Sequence, residues 1–151
     1  MERREEVDRW MENSWTGADH CAEGEEARLH RAFRAVLCAM PDEDFDRFDA
    51  ANPTVICQPH VNASVFSYHV FVPTGVQGGR VNVIYFSPSL FRKTDKNLTN
   101  VVAHECAHVV LGHYENPATD SPRAREQEAD DRSASWGFRR TYTKSKFDQL
   151  P

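Results

Sequence analysis

The segment His104-Glu105-Cys106-Ala107-His108 constrains the fold of this chain more than any other part of the sequence. Apolar residues flank it on both sides, namely Val101, Val102, Val109, Val110 and Leu111. A helix that is apolar on several sides is typical of the centre of a domain. Buried histidine and glutamate side chains need partners, and a metal ion supplies one. The segment therefore predicts a central helix with a metal on one face.

The spacing of these polar residues matches the needs of hydrolytic zinc chemistry. His104 and His108 are four residues apart, so they lie one helical turn from each other and can bind one Zn²⁺. Glu105 is offset by about 100 degrees from His104, within reach of a water molecule on the metal. Zinc lowers the pKa of such a water, and Glu105 can accept its proton and deliver it to a leaving amine. The pattern predicts a zinc-dependent hydrolase.

A catalytic zinc needs a third protein ligand, and the motif alone also fits a surface helix with two solvated histidines. The metzincin pattern requires glycine at 111 and histidine at 114, whereas the chain has Leu111 and Tyr114. A glutamate on a following helix is the remaining source, and Glu126 is the predicted ligand. Asp130 shares its helix face and is predicted to accept the second ring N–H of a ligand histidine.

Other features of this acidic segment bear on the same assignment. Ala129 is small enough to let the two helices approach closely. Glu128 lies roughly 200 degrees from Glu126 and points elsewhere. The alternative is that the acidic residues from 126 to 130 are solvated and merely favour the N-terminal end of a helix dipole.

The rest of the chain predicts an α+β domain. Helices are expected over residues 3–13 and from Leu29 to Met40, followed by a short helical piece over 42–49. Strands rich in β-branched and aromatic residues are expected at 54–58, 65–72 and 81–86, the last two joined as a hairpin. Two helices follow, at about 95–113 and 122–138. The predicted fold is a minimal zincin-like domain, in which a small, mainly antiparallel three-stranded sheet packs on the motif helix and the following ligand helix.

Length and composition set the expected class of protein and its partners. The 151 residues predict one domain over 1–151, with an N-terminal extension over 1–22 and a flexible tail over 139–151. The net charge of −5 without a basic run argues against direct nucleic-acid binding. The charged start of the chain, the lack of a long apolar segment and four scattered cysteines predict a cytoplasmic protein without a membrane span. The oligomeric state stays open.

Two motifs carry a resemblance to a known family. The helix His104-Glu105-Cys106-Ala107-His108-Val109-Val110-Leu111-Gly112-His113 resembles the HExxHxxLGH helix of ImmA/IrrE-type metallopeptidases. The segment Glu126-x-Glu128-Ala129-Asp130 is similar to their downstream ExEA(N/D) motif. The resemblance covers roughly residues 80–138. The first seventy residues match nothing comparable, and no helix-turn-helix domain is fused to the motifs.

The resemblance implies a gluzincin-like site with His104, His108 and Glu126 on zinc and Glu105 as the base. It also implies a bacterial or phage setting, in which such enzymes often cleave a repressor. The expected function is therefore zinc-dependent endopeptidase cleavage of a protein substrate, such as a regulatory protein of the repressor type. The alternative is a non-catalytic zinc-containing regulatory or binding module, such as a pseudo-peptidase or a phage or toxin–antitoxin component.

Several other residues have weaker expected roles. His113 falls off the metal-facing line of the helix and is interpreted as a histidine near the C-terminal end of the helix dipole. Cys106 is interpreted as a small core residue. Tyr85 and Tyr114 are alternatives for stabilising an oxyanion. The strand 81–86 is either an edge strand that pairs with an extended substrate or an ordinary core strand.

Overall fold

The computed structural model describes residues 2–13, 23–57, 67–73, 80–113 and 121–140. Five α-helices of 10 to 17 residues contain most of these residues. They are α1 (Arg3–Asn13), α2 (Glu23–Ala39), α3 (Asp42–Ala51), α4 (Asp95–Leu111) and α5 (Pro122–Ser135). The strands are β1 (Thr54–Cys57), β2 (Ser67–Pro73) and β3 (Arg80–Phe86), and a short 3₁₀ helix (Pro88–Arg92) leads into α4.

The predicted fold class is wrong, because the domain is mainly helical and its sheet is not mainly antiparallel. The strand order is β1-β3-β2, with β3 in the middle. β2 pairs antiparallel with β3, as expected of strands joined by a hairpin, but β1 pairs parallel with β3. A parallel pair needs a long crossover connection, and the chain between β1 and β3 includes β2. The central position of β3 also excludes the interpretation of this strand as a sheet edge.

The motif helix α4 lies at the centre of the described structure. Every residue from Asn100 to Val110 is buried, and α2, α3, α5 and β2 all contact this helix. Its weak amphipathicity explains this placement, since a helix that is apolar all round must be covered on every side. The core around it includes the predicted apolar faces of α1 and α2: Val7, Trp10, Met11, Leu29, Ala32, Phe33, Val36, Leu37 and Met40.

Capping residues that can be recognised in the sequence form the hydrogen bonds at the ends of α4 and α5. Thr94 is the N-cap of α4, and its hydroxyl accepts a hydrogen bond from the Asn97 amide at 3.2 Å. Gly112 ends α4 with φ of 64°, in the left-handed region that favours glycine. Ser121 caps α5 by accepting from the Ala124 amide at 3.2 Å, as its position before Pro122 predicts.

Arg28 fixes the start of α4 against α2. Its guanidinium donates to the backbone carbonyls of Phe91 and Lys93 at 2.8 and 2.7 Å, and to the Asp95 carboxylate at 2.7 Å. The planar fork of arginine suits this arrangement, since it presents several donors in fixed directions. The contacts join α2, the 3₁₀ helix and the first turn of α4, and so set the position of the motif helix along its axis.

A buried carboxylate fixes α5 against α3. Asp44 accepts hydrogen bonds from Arg132 Nη1 at 2.7 Å and from the indole Nε1 of Trp136 at 2.8 Å. The Asp44 side chain is only 6% exposed, whereas that of Arg132 is 34% exposed. Because α5 carries the acidic residues of the second motif, this contact helps to hold them at α4.

We expect the Asp44→Ala variant to lower the free energy of unfolding by about 1–3 kcal/mol, because it leaves the buried indole N–H of Trp136 without its acceptor. Urea denaturation of the metal-free protein measures this change. The control is Glu43→Ala, which removes an exposed ion pair with Arg47 and should cost less than about 1 kcal/mol. Equal losses in the two variants would contradict the structural role of Asp44.

Two residues of the predicted tail make contacts with α4 and α5. The side-chain amide of Asn100 donates to the backbone carbonyl of Arg139 at 2.8 Å, and the Arg140 side chain is 9% exposed. Residues 141–151 of that tail lie outside the described part of the chain, as do residues 14–22 of the predicted N-terminal extension. Within the described ranges, no helix has the length and apolar character needed to cross a membrane.

Candidate metal centre

The two histidines of the motif present the same ring nitrogen to one point. His104 and His108 are both buried on α4, and their Nε2 atoms are 3.1 Å apart. Their rings are nearly perpendicular, at 84°, with centroids 4.7 Å apart. This convergence follows from the four-residue spacing, which stacks the two side chains on one helix face.

Glu126 on α5 completes a triangle with the two histidines. Its Oε2 atom is 2.8 Å from His104 Nε2, and its Oε1 atom is 3.1 Å from His108 Nε2. Among the described residues, His104, His108 and Glu126 form the group whose ligand atoms could hold one metal ion. Ala129 is fully buried between these contacts and lets α5 approach α4 closely. The structure thus brings together all three residues that the sequence predicts as ligands.

The size of the triangle fits zinc. Tetrahedral zinc with bonds of about 2.0–2.1 Å holds its ligand atoms about 3.3 Å apart. The two Nε2 atoms here are 3.1 Å apart, close to this spacing, and the two Glu126 oxygens lie at 2.8 and 3.1 Å, each from a different Nε2 atom. Two imidazoles and one carboxylate are also a donor set that catalytic zinc sites use.

Asp130 holds the other ring nitrogen of His104, as its position four residues after Glu126 predicts. His104 Nδ1 lies 2.8 Å from Asp130 Oδ1. With a metal on Nε2, the proton of the ring must sit on Nδ1 and is donated to this carboxylate. Asp130 therefore fixes both the orientation of His104 and the tautomer that leaves Nε2 free for a metal.

Arg140 lies behind Asp130, and the sequence did not predict this contact. Its Nη2 atom donates to Oδ1 and Oδ2 of Asp130 at 2.7 and 2.8 Å, and its Nε atom donates to Oδ1 at 2.9 Å. The same Nη2 atom is 3.8 Å from Glu126 Oε2. The turn after α5, in which the Phe138 amide donates to the Ser133 carbonyl, returns the chain toward α4 and makes this contact possible. Gly137, with φ of 100°, is the sequence signal for this turn, but it does not indicate which side chain the turn brings to Asp130.

His108 has a different partner, which the sequence analysis also missed. Its Nδ1 atom lies 2.8 Å from Nδ1 of His113, and the Nε2 atom of His113 lies 2.8 Å from Glu128 Oε2. The helical wheel put His113 away from the metal face, but that argument requires the helix to continue. Gly112 ends the helix, and His113 folds back so that its amide donates to the His108 carbonyl at 3.3 Å.

The carboxylates around His104 stabilise positive charge on its ring. Burial alone would lower the pKa of His104, but hydrogen bonds to Asp130 and Glu126 and the charge of Glu105 raise it to about 9. Although burial opposes the change, the contacts with His104 and Arg140 lower the pKa of Asp130. In the metal-free protein a proton on His104 thus partly balances the carboxylates, and a metal ion would release it.

His113 shows the opposite behaviour from His104. Burial and the neighbouring His108 lower the pKa of His113, against the effect of Glu128. A neutral His113 keeps one ring nitrogen without a proton, and that nitrogen can accept a hydrogen bond from His108.

Glu105 lies beside the triangle but is not part of it. Its side chain is buried on α4, 5% exposed, and its charge is among the causes that raise the pKa of His104. The role of Glu105 as a base that reaches a metal-bound water without binding the metal stays a prediction. Cys106 is fully buried and carries a free thiol, as expected of a small core residue. Burial and the charge of Glu105 raise its thiol pKa well above the usual value.

Of the two tyrosines that the sequence offers for stabilising an oxyanion, the structure describes one. Tyr85 lies in β3 and is partly exposed, and its role stays a prediction. Tyr114 lies outside the described residues.

Comparison with known proteins adds no assignment, because no family model, curated protein or solved structure matches this chain.

Proposed function

We propose that this protein is a zinc-dependent endopeptidase that binds its metal through His104, His108 and Glu126. The observation that carries the proposal is that two Nε2 atoms, 3.1 Å apart, both face the Glu126 carboxylate, whose two oxygens lie 2.8 and 3.1 Å from one nitrogen each. Three protein ligands leave a fourth tetrahedral position for water or substrate, which is the arrangement of catalytic rather than structural zinc sites.

Glu105 is the proposed acid–base residue. When bound here, zinc would supply a Lewis acid for the substrate carbonyl and lower the pKa of a water molecule. Glu105 follows the first ligand on the same helix, and its burial excludes bulk water from the carboxylate. It would accept the proton of the attacking water and return a proton to the leaving amine, which are the two transfers that peptide hydrolysis requires.

The proposed substrate is a protein or peptide, and the family resemblance over residues 80–138 favours a regulatory protein such as a repressor. An intracellular repressor as substrate makes the cytoplasm the expected compartment.

The alternative, a non-catalytic module with a structural zinc, requires a fourth protein ligand that closes the site. His113 contacts a ligand histidine, but its two ring nitrogens face His108 and Glu128. Within the described ranges, the group able to hold a metal has three members. These observations favour an open coordination position and therefore a catalytic zinc site.

Metal analysis of the purified protein tests the proposal. We expect one zinc per chain in the wild-type protein and none in the His104→Ala variant, because two remaining ligands cannot hold zinc through purification. The control is His30→Ala, which changes a half-buried histidine of α2 that is not part of the metal-binding group. A wild-type protein that takes up no supplied zinc, or a His104→Ala variant that retains it, would overturn the metal assignment.

A further inference from the structure

The end of α4 carries a second hydrogen-bonded chain that neither the motif nor the family resemblance assigns. It runs from His108 through His113 to Glu128, with two contacts of 2.8 Å each. We infer that His113 and Glu128 form a relay that fixes the tautomer and orientation of His108 for metal binding. This inference rests on the proposed zinc site and names two positioning residues for it.

The direction of each hydrogen bond follows from the chemistry of imidazole. A metal on Nε2 of His108 requires a proton on its Nδ1, so this atom must donate to His113 Nδ1. His113 then has its single proton on Nε2 and donates it to Glu128 Oε2. The carboxylate only accepts, so it ends the chain and permits one arrangement of the protons.

The relay matches the arrangement around the other ligand histidine. His104 Nδ1 meets the carboxylate of Asp130 directly, whereas His108 Nδ1 reaches the carboxylate of Glu128 through one intervening ring. Both carboxylates come from α5, on either side of buried Ala129. A single helix thus supplies one ligand and the outer support of both histidines.

Local backbone geometry explains why His113 can take this position. Gly112 adopts a left-handed conformation that residues with a Cβ rarely adopt, and it turns the chain back along the last turn of α4. The rings of His108 and His113 then meet at 66° with centroids 5.0 Å apart. His113 is buried, while the Glu128 side chain is 50% exposed, so the relay leads from the metal ligand to the surface.

The test measures zinc affinity by competition with a chelator, together with the stability of each metal-free variant. We expect His113→Leu to weaken zinc binding by about 10–100-fold, the usual effect of losing an outer partner of a ligand histidine. The His113→Asn variant should recover most of this loss, because the asparagine side-chain oxygen can occupy the place of Nδ1. Packing alone predicts no such rescue, since asparagine fills the cavity no better than leucine.

Glu128 offers a second, independent pair of variants. Glu128→Ala should weaken zinc binding, and Glu128→Gln should restore part of it, since glutamine keeps an acceptor oxygen without the charge. The matched control is Asp131→Ala, which removes an exposed carboxylate of the same helix that accepts from Gln127. The control should leave zinc affinity unchanged.

Nitrogen-15 NMR of the zinc-loaded wild-type protein reads the tautomer directly. We expect a proton on Nδ1 of His108 and on Nε2 of His113. A metal on Nδ1 of His108 would overturn the relay, as would wild-type zinc affinity in both His113→Leu and Glu128→Ala. A wild-type protein without zinc affinity would instead refute the proposed function, so the two failures can be told apart.

Discussion

The Glu105→Gln variant is expected to keep its zinc while kcat/KM falls by about 10²–10⁴-fold, the usual contribution of a general acid–base residue. Glutamine preserves the size and the hydrogen-bonding shape of the buried side chain, so α4 should keep its packing. It cannot accept a proton from water at neutral pH, and peptide hydrolysis loses both of its proton transfers. Release of new amino termini from an unfolded protein substrate measures turnover, and metal analysis measures zinc.

The design of this experiment separates a base from a ligand. Asp131→Asn is a suitable control, because it makes the same chemical change on the exposed face of α5. Wild-type turnover in zinc-loaded Glu105→Gln protein would contradict the acid–base role. Loss of zinc from that variant would mean that Glu105 binds the metal, against its position outside the triangle.

The residues of the site could be predicted because helical periodicity is local. A four-residue spacing places His104 over His108 and Glu126 over Asp130 whatever surrounds the helices. The apolar residues around His104 then indicate that α4 is central, and the structure buries it on all sides. Only the contact between α4 and α5 depends on tertiary structure. The small side chain of Ala129 was the sequence feature that indicated this contact.

The same periodicity failed where the helix ends. His113 and Glu128 point away from the metal on a continuous helical wheel, yet the left-handed turn at Gly112 brings them together beside His108. From the sequence, a glycine at this position predicts the end of the helix. A left-handed cap also reverses the chain, and this reversal would have placed the next residue back against the last helical turn.

Beyond the strands and the β2–β3 hairpin, the sheet could not be predicted. Alternating and β-branched residues mark a strand but carry no information about which partner it takes or in which direction. β1 runs parallel to β3 because the chain crosses over, and β2 occupies the far side of the same strand. Arg140 was missed for a related reason, since its contact with Asp130 depends on where the chain turns after α5.

The Glu126→Ala variant is expected to weaken zinc binding by more than about 100-fold, which is the largest usual effect of losing an outer partner of a metal ligand. The substitution removes one of the three ligands. No other carboxylate among the described residues belongs to the metal-binding group. Glu128→Ala is the matched comparison: the same substitution, two positions along the same helix, should cost about 10–100-fold at most. Chelator competition measures both affinities under one set of conditions.

A second readout of Glu126→Ala does not involve zinc. In the metal-free protein, Glu126 is among the groups that raise the pKa of His104 to about 9, so its removal should lower that pKa. Nitrogen-15 NMR titration of His104 measures the change. If the acidic residues of α5 only favoured the start of that helix, the two glutamate variants would bind zinc equally well and the pKa of His104 would not move. That result would remove the third ligand and, with it, the glutamate-ligand class of zinc site.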